Sequence, residues 1–180
     1  MVSYFEPHTP EWIKNCFIYN RPSPKTGTGT ISTRTGNVMV RSSLLRSVEA
    51  PFEPAYGITG GEDTKLFSLL KKGGAKYINS YEAVTYEYVP RERTKIKWLI
   101  IRAFKYGNHF ARRQVDNNNN KFVTRVHHLT IGVSYFLISM VLSFIFIFNK
   151  TNRLKWFLKL VSNFGKIAAV FGYHLVENEL

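Results

Sequence analysis

The stretch TGGEDTKLFSLLKKGG, residues 59–74, predicts a helix that begins beside two carboxylates and ends at a pair of glycines. Leucine and phenylalanine recur at helical spacing, which predicts a helix from Asp63 to Lys72 with one apolar face. That face consists of Leu66, Phe67, Leu69 and Leu70. Gly73-Gly74 predicts the end of the helix, because glycine readily adopts the left-handed conformation that follows many helices.

Short apolar or tyrosine-rich runs on both sides of this helix predict β-strands. The expected strands are Val2–Phe5, Asn37–Arg41, Lys76–Asn79 and Ala83–Val89. Two shorter helices are also expected, one within Glu11–Tyr19 and one that begins at Ser42 with a serine cap. Helices that alternate with strands are typical of the α/β class, so we expect a mixed α/β layer.

The clearest amphipathic pattern runs from Arg93 to Arg113 and predicts a long helix. At about 100° per residue its apolar residues share one side. They are Ile96, Leu99, Ile100, Ala103, Phe104, Gly107, Phe110 and Ala111. The other side carries Trp98 and the basic residues, so we expect it to face water or an anionic surface.

Residues 129–148, LTIGVSYFLISMVLSFIFIF, contain no charged side chain. About 20 such residues cross the ~30 Å hydrocarbon core of a bilayer, so the segment predicts a transmembrane or re-entrant helix. Arg125 and Lys150 flank it on both sides, so the positive-inside rule does not fix its orientation. A buried core helix is the alternative, and the length of the phenylalanine-rich run argues against it.

Residues 154–176 form a second, less apolar segment. Apolar residues recur at helical spacing from Trp156 to Leu175, while Lys155, Lys159 and Lys166 lie off that stripe. The pattern predicts an amphipathic helix in the membrane interface, or a second span. With the preceding segment it could form a hairpin that dips into a membrane and returns.

The composition is strongly basic, with 25 Lys and Arg against 12 acidic residues and a formal charge of +13 over 180 residues. An anionic lipid surface would attract such a chain. Nucleic acid is the other explanation of the charge, but the sequence shows no nucleic-acid motif, so we expect no such partner. A hydrophobic fraction of 44% excludes a disordered protein.

Cysteine and aspartate are scarce, which excludes two kinds of site. Cys16 is the only cysteine, so disulfide scaffolds and cysteine zinc sites are excluded, and we expect Cys16 to pack in a core. Asp63 and Asp116 are the only aspartates, so the sequence contains no Asp-x-Asp motif. The five histidines show no ligand spacing, and we therefore expect no metal site in this chain.

The segment from Thr59 to Thr64 supports two readings. Thr59 and Glu62 have the spacing of a capping box, and Asp63 could cap the helix that follows. Alternatively, a carboxylate at a glycine-hinged corner could project into a cleft as a general base. The spacing alone favours the cap.

Several strings in the sequence resemble the second half of family 2 glycosyltransferases, over about residues 30–112. They are Gly36–Arg41, Pro51-Phe52, Gly57–Phe67 with its Gly-Gly-Glu-Asp-Thr core, Leu70-x-x-Gly73, Glu82–Arg93, Trp98, Arg102 and Gly107. The tail Phe164–Tyr173 is similar to the C-terminal tails of such enzymes, more weakly.

This resemblance implies a GT-A fold, an α/β arrangement around a mostly parallel sheet. It implies inverting transfer of a sugar from a nucleotide-sugar donor to the hydroxyl of a sugar or lipid-linked acceptor. Asp63 would be the base that deprotonates that hydroxyl, and Glu62 would hold the acceptor or tune the base. Gly60 and Gly61 would shape the substrate-binding corner.

The resemblance also assigns roles to three residues of the basic helix. Arg93 and Arg102 would offset the charge of the leaving diphosphate, and Trp98 would form part of the acceptor wall. A solvated or lipid-facing basic face is the alternative for both arginines. For Lys95, Lys105, Arg112 and Arg113 that alternative is favoured.

One part of the family pattern has no counterpart in this sequence. The family binds its donor through a front half whose Asp-x-Asp grips a divalent Mg or Mn ion, and two distant aspartates cannot supply it. We therefore expect the isolated chain to bind nucleotide sugars weakly. Three explanations are open: a separate N-terminal half completes the enzyme, the gene is split or truncated, or the chain keeps the family resemblance without the activity.

The expected organisation has four parts. Residues 1–113 would be the C-terminal portion of a GT-A domain, 114–128 a polar and basic linker, 129–148 the membrane helix and 154–176 the amphipathic helix. The resemblance implies surface polysaccharide or glycolipid synthesis at the inner or plasma membrane, with the catalytic part facing the cytoplasm. A non-enzymatic, membrane-associated interaction protein is the alternative.

Overall fold

The computed structural model describes residues 2–19, 24–30, 33, 35–49, 51–52, 62–116 and 118–173. Helices in these residues are α1 (Glu11–Lys14), α2 (Ser42–Arg46), α3 (Glu62–Lys72), α4 (Ile96–Asp116), α5 (Lys121–Ile145) and α6 (Lys150–Val170). The strands are β1 (Val2–Phe5), β2 (Gly29–Thr30), β3 (Tyr77–Ile78) and β4 (Tyr86–Val89), and 3-10 turns occur at Thr35–Asn37 and Arg91–Thr94. The expected mixture of helices and strands is therefore present.

The strands within the described residues form two small sheets. β1 pairs with β4, while β2 and β3 pair antiparallel, with Gly29 opposite Ile78 and Thr30 opposite Tyr77. The hydroxyl of Thr26 donates to the Glu82 carboxylate, which closes the loop beside the second sheet. These strand pairs differ from the mostly parallel sheet that the resemblance implies.

The predicted strand Asn37–Arg41 is wrong. Asn37 ends a 3-10 turn, and residues 38–41 form no strand. Met39 is 98% exposed, while Val40 contacts the core around α3. The contact of Val40 alone does not make residues 38–41 a buried strand. The predicted serine cap of α2 is also wrong, because Arg41 occupies the cap position and makes no side-chain cap bond.

The chain divides into two compact units. One comprises Met1–Val2, Arg21–Glu87 and Val176–Leu180. In it α3 buries Leu66, Phe67 and Leu70 against Val40, Leu44, Leu45, Val48, Ala75 and Tyr77. Leu69 is 41% exposed, so its predicted place in the apolar face is wrong: α3 packs on one side only. Gly74, at φ +91°, follows the end of α3, as the glycine pair predicts.

The other unit comprises Ser3–Asn20 and Tyr88–Leu175. Its helix α6 packs along both α4 and α5, whereas α4 and α5 contact each other little. The core residues are Ile13, Cys16, Tyr19, Val89, Leu99, Ala103, Leu154, Leu158 and Val161. The burial predicted for Cys16 is confirmed, as is a long amphipathic helix between Arg93 and Arg113. Ile96 lies at its exposed start, 40% exposed.

The predicted linker 114–128 is largely helical, because α4 continues to Asp116 and α5 begins at Lys121. The side chain of Asn120 accepts a bond from the Val123 amide at 3.1 Å, which caps α5 ahead of the apolar segment. Asn149 caps α6 in the same way, accepting from the Asn152 amide at 3.0 Å.

Among the described residues, α5 is the one helix long and apolar enough to cross a membrane. Only 11% of its most apolar 18-residue stretch is buried within the protein. This exposure argues against the buried core helix that the sequence left as an alternative. The helix is therefore compatible with membrane association.

Candidate functional site

The two predicted catalytic carboxylates lie in the first turn of α3. Glu62 and Asp63 are half-buried, and they precede the buried Leu66 and Phe67 by one helical turn. Residues four apart share a helix face, so both carboxylates stand at the N-terminal end of the packed face of α3. They do not belong to its solvated side, where Ser68 and Leu69 lie.

Asp63 binds the residue that follows it. Its Oδ1 accepts from the Thr64 amide at 2.6 Å and from the Thr64 hydroxyl at 3.2 Å. Asp63 is the second residue of α3, so it does not occupy the cap position that the sequence suggested. A negative charge in the first turn is favourable at the positive end of the helix dipole, so a carboxylate at this position stabilises α3.

Glu62 has a carboxylate oxygen that is shielded from solvent. Its Oε2 finds no hydrogen-bond partner in the part of the chain that the structure describes. A buried, unpaired carboxylate oxygen is costly, so such an atom calls for a donor from outside. A hydroxyl of a bound sugar is one such donor.

Contacts of Phe67, in the middle of α3, fix the position of the helix. The hydroxyl of Tyr77 donates to the carbonyl of Phe67, and the two rings meet edge to face with centroids 6.0 Å apart. Burial at this contact raises the pKa of Tyr77. Strand β3 therefore anchors the helix that carries the carboxylates.

The predicted binding residues Gly60 and Gly61 lie outside the described residues, as does Thr59. The capping box that Thr59 would form with Glu62 is therefore not described either. Of the predicted site residues in this segment, the structure describes only Glu62 and Asp63.

Arg93, Trp98 and Arg102 form one basic-aromatic cluster. The guanidinium carbons of Arg93 and Arg102 lie 6.0 and 5.9 Å from the centroid of the Trp98 ring. Arg102 follows Trp98 by one turn of α4, and Arg93 comes from the 3-10 turn before that helix. The hydroxyl of Tyr19 donates to the carbonyl of Arg93, which fixes that turn. The predicted trio is thus brought together.

The carboxylate pair and the basic-aromatic cluster belong to different compact units. Each group can be assigned chemistry by itself. The carboxylates can accept protons or hydrogen bonds, and the cluster offers two permanent cations beside an aromatic face.

The described residues contain no group of three or more His, Cys, Asp or Glu side chains that could hold a metal ion. They therefore do not fit the divalent ion that the resemblance implies.

The sequence did not single out two other groups. Asn108 is completely buried, and its amide donates to the carbonyls of Gly165 at 3.3 Å and Tyr173 at 2.8 Å. The only sequence signal was a polar residue directly after Gly107, at the edge of an apolar stripe. The second group is Trp156 of α6, whose ring centroid lies 4.3 Å from Nζ of Lys159 and 5.7 Å from Nζ of Lys155.

Comparison with known proteins finds a partial relative. The chain is 29% identical over 111 residues to the succinoglycan biosynthesis protein ExoM of Rhizobium meliloti (strain 1021). The match covers 61% of this chain and 36% of ExoM, so the chain spans about a third of the length of that relative. No protein-family model matches the chain, and no solved structure is significantly similar to it. The chain is thus similar to part of a protein of polysaccharide biosynthesis.

Proposed function

We propose that this chain is the acceptor-side part of an inverting, family 2 glycosyltransferase of GT-A fold. It transfers a sugar from a nucleotide-sugar donor to a hydroxyl of a sugar or lipid-linked acceptor, in the synthesis of surface polysaccharide or glycolipid. The similarity to a succinoglycan biosynthesis protein over 111 residues carries this proposal. The half-buried carboxylate pair at the start of α3 supports it.

Asp63 is the proposed general base. A sugar hydroxyl is a weak nucleophile until a base takes its proton as the new bond forms. The hydroxyl oxygen attacks the anomeric carbon, its proton passes to the Asp63 carboxylate, and the bond from that carbon to the diphosphate oxygen breaks. The nucleoside diphosphate leaves with the electron pair, and the anomeric configuration inverts.

Glu62 is the proposed acceptor-binding residue. Its shielded Oε2 has no partner among the described residues, so a donor hydroxyl of the acceptor would satisfy it.

Arg93, Trp98 and Arg102 form the proposed binding cluster for the polar parts of the substrates. The two guanidinium groups can offset the negative charge that develops on the leaving diphosphate. The Trp98 ring beside them offers a flat apolar surface on which a sugar ring would pack.

Residues beyond these would bind the donor. The sequence has no Asp-x-Asp, and the described residues do not fit a divalent ion, so we assign the Mg or Mn ion and the binding of the donor nucleoside to another polypeptide segment. We place the protein at the inner or plasma membrane with its catalytic part in the cytoplasm, since nucleotide sugars are made there.

A non-enzymatic, membrane-associated interaction protein is the second candidate. The bonds from Thr64 to Asp63 favour it, because they are also what a purely structural carboxylate at a helix start would make. In that case Glu62 and Asp63 only stabilise α3.

Replacement of Asp63 distinguishes the two candidates. The system is a membrane preparation that transfers labelled sugar to a lipid-linked acceptor, with this chain supplied as wild type or variant. Asp63→Asn should lower the transfer rate by about 10²- to 10⁴-fold, the usual contribution of a general base. Asp116→Asn is the matched control, because Asp116 is the other aspartate and is exposed at the end of α4. Equal rates for wild type and Asp63→Asn, with Asp63→Asn folded, would leave only the interaction protein.

A further inference from the structure

Helix α5 has the polarity of its faces reversed relative to a helix of a water-soluble protein. Its buried residues are Thr124, Gly132 and Ser139, which are small or polar. Its exposed residues include large apolar side chains: Val133, Leu137, Ile138, Val141, Phe144 and Ile145. Small residues between helices and large apolar residues outside are typical of helices surrounded by lipid.

Helix α6 runs back along α5, so the two helices would lie at the same depth in a membrane. The chain turns between Ile145 and Lys150, and a Cβ on Gly132 would lie 3.1 Å from the Ile167 side chain. The stretch of α6 from residue 150 to residue 167 therefore lies beside the apolar part of α5. A membrane that surrounds one of these helices at that depth also meets the other.

This shared depth argues against a simple crossing of the bilayer. The α6 stretch carries five cations: Lys150, Arg153, Lys155, Lys159 and Lys166. Cations in the hydrocarbon core are costly, and they are tolerated mainly where they pair or reach the interface. If α5 spanned the core with α6 packed along it, these side chains would lie at every level of that core.

The lysines and the phenylalanines of α6 occupy opposite sides. Phe157, Phe164 and Phe171 recur every seven residues and are 37%, 53% and 75% exposed. At about 100° per residue, Lys155, Lys159 and Lys166 point the other way. The Phe164 ring also meets Phe104 of α4 and Phe136 of α5, with centroids 5.9 and 6.4 Å apart, and Nζ of Lys166 lies 5.6 Å from the Phe110 ring of α4.

We infer that the α5–α6 hairpin lies in the plane of an anionic phospholipid bilayer and does not cross it. The phenylalanine side of α6 and the exposed apolar side chains of α5 contact the acyl chains. Lys155 and Lys159 reach phosphate groups, and Trp156 between them lies at the headgroup level, where tryptophan is enriched. We infer anionic and not neutral lipid because the formal charge of the chain, +13, favours a negatively charged surface.

This inference extends the membrane location of the proposed function, and its tests do not depend on sugar transfer. The first test is sidedness. Cysteines replace Asn119, before α5, and Lys150, after it, in chains expressed into sealed inside-out membrane vesicles, with the wild-type chain as the control for Cys16. A membrane-impermeant maleimide should label both positions without permeabilisation. Labelling of one position only until the vesicles are opened would show that α5 crosses, and would overturn the inference.

The second test is lipid composition. Purified full-length chain is bound to phosphatidylcholine vesicles with and without phosphatidylglycerol. The double variant Lys155→Gln, Lys159→Gln should weaken binding to the anionic vesicles by about tenfold or more, since each lysine near an anionic surface contributes to attraction. It should leave binding to the neutral vesicles unchanged. The control variant Lys71→Gln, Lys72→Gln, on exposed residues of α3, should bind like wild type.

Replacement of the apolar side completes the design. Phe157→Ser with Phe164→Ser should weaken binding to both kinds of vesicle, because acyl contact does not depend on headgroup charge. If the lysine variant bound anionic vesicles like wild type, or if the phenylalanine variant bound both kinds like wild type, the in-plane arrangement would be wrong. A protein partner would then be the better candidate for covering this surface.

Discussion

Gly107 of α4 lies directly against the backbone of Ser162 in α6. A Cβ built on Gly107 would come within 1.8 Å of the Ser162 carbonyl oxygen, and one on Gly165 would come within 2.3 Å of the Phe104 carbonyl oxygen. Two glycines, one from each helix, therefore let the two backbones touch. The helix that carries Trp98 and Arg102 is held to α6 at this contact.

Substitution of Gly107 should separate these helices. Gly107→Ala adds a methyl group where only backbone atoms could move aside, so we expect a loss of about 2–3 kcal/mol in the free energy of unfolding. The gain of about 1 kcal/mol in helix propensity is smaller and does not offset it. Thermal unfolding in detergent, followed by circular dichroism, measures the difference.

Gly132→Ala provides a graded comparison for this experiment. Its added Cβ would meet a movable side-chain atom, Cγ1 of Ile167, at 3.1 Å. A smaller loss of stability is therefore expected than for Gly107→Ala. Equal stability of wild type and Gly107→Ala would show that the helices are not in this close contact.

Asn108 connects α4 to the C-terminal end of α6. Replacing it by alanine leaves the carbonyls of Gly165 and Tyr173 without their donor, and each unsatisfied buried group costs about 1–3 kcal/mol. We expect Asn108→Ala to lower the midpoint of thermal unfolding, and Asn108→Asp to lower it further, because its carboxylate would face two carbonyl oxygens. Asn118→Ala, at an exposed position, should unfold like wild type.

The sequence predicted the helices whose apolar residues repeat at a regular spacing or form one long uninterrupted run. α3 and α4 show periodic apolar faces, and α5 contains the uncharged run from Leu129 to Ile145, so the positions of these helices follow from local pattern. The polar and basic first turns of α5, from Lys121 to His128, were not predicted by that pattern. The failed strand at Asn37–Arg41 shows the limit of that reasoning. A run of Val38, Met39 and Val40 is equally apolar whether it pairs with a strand or turns over a helix, and only its long-range neighbours decide.

In the candidate site, too, contacts within one helix were predictable from the sequence, whereas contacts between distant segments were not. Proximity along one helix put Trp98 and Arg102 together, since residues four apart share a face. The approach of Arg93 depends on the bond from Tyr19, which lies far away in the chain, and no local pattern indicates it. Burial of Asn108 likewise depends on the backbones of α6 and the residues after it.

Trp98 and Arg102 should both contribute to substrate binding. Both Trp98→Ala and Arg102→Gln are expected to lower kcat/KM for transfer by about tenfold, equivalent to ~1.4 kcal/mol of binding energy. Arg102 is exposed, so Arg102→Gln loses only about 0.5–1 kcal/mol of folding energy and the unfolding midpoint should change little. Trp98 is half-buried and packs against the core, so Trp98→Ala should also lower the midpoint. Lys105→Gln, on the same helix, is the control. Unchanged kcat/KM in both variants would restrict the cluster to a solvated basic face.

Cys16 should be protected from thiol reagents in the folded chain. Burial raises its pKa, so at pH 8 less of the thiol is ionised than in an unfolded chain. Because the pKa is higher in the folded state, the neutral thiol favours folding below the unfolded pKa, and this contribution is lost as the pH rises through the folded value. Reaction with a chromogenic disulfide at pH 8 should therefore be slow in detergent and at least tenfold faster in about 6 M guanidinium chloride, where burial is lost. Equal rates would mean that Cys16 is not in the core formed with Ile13 and Leu158.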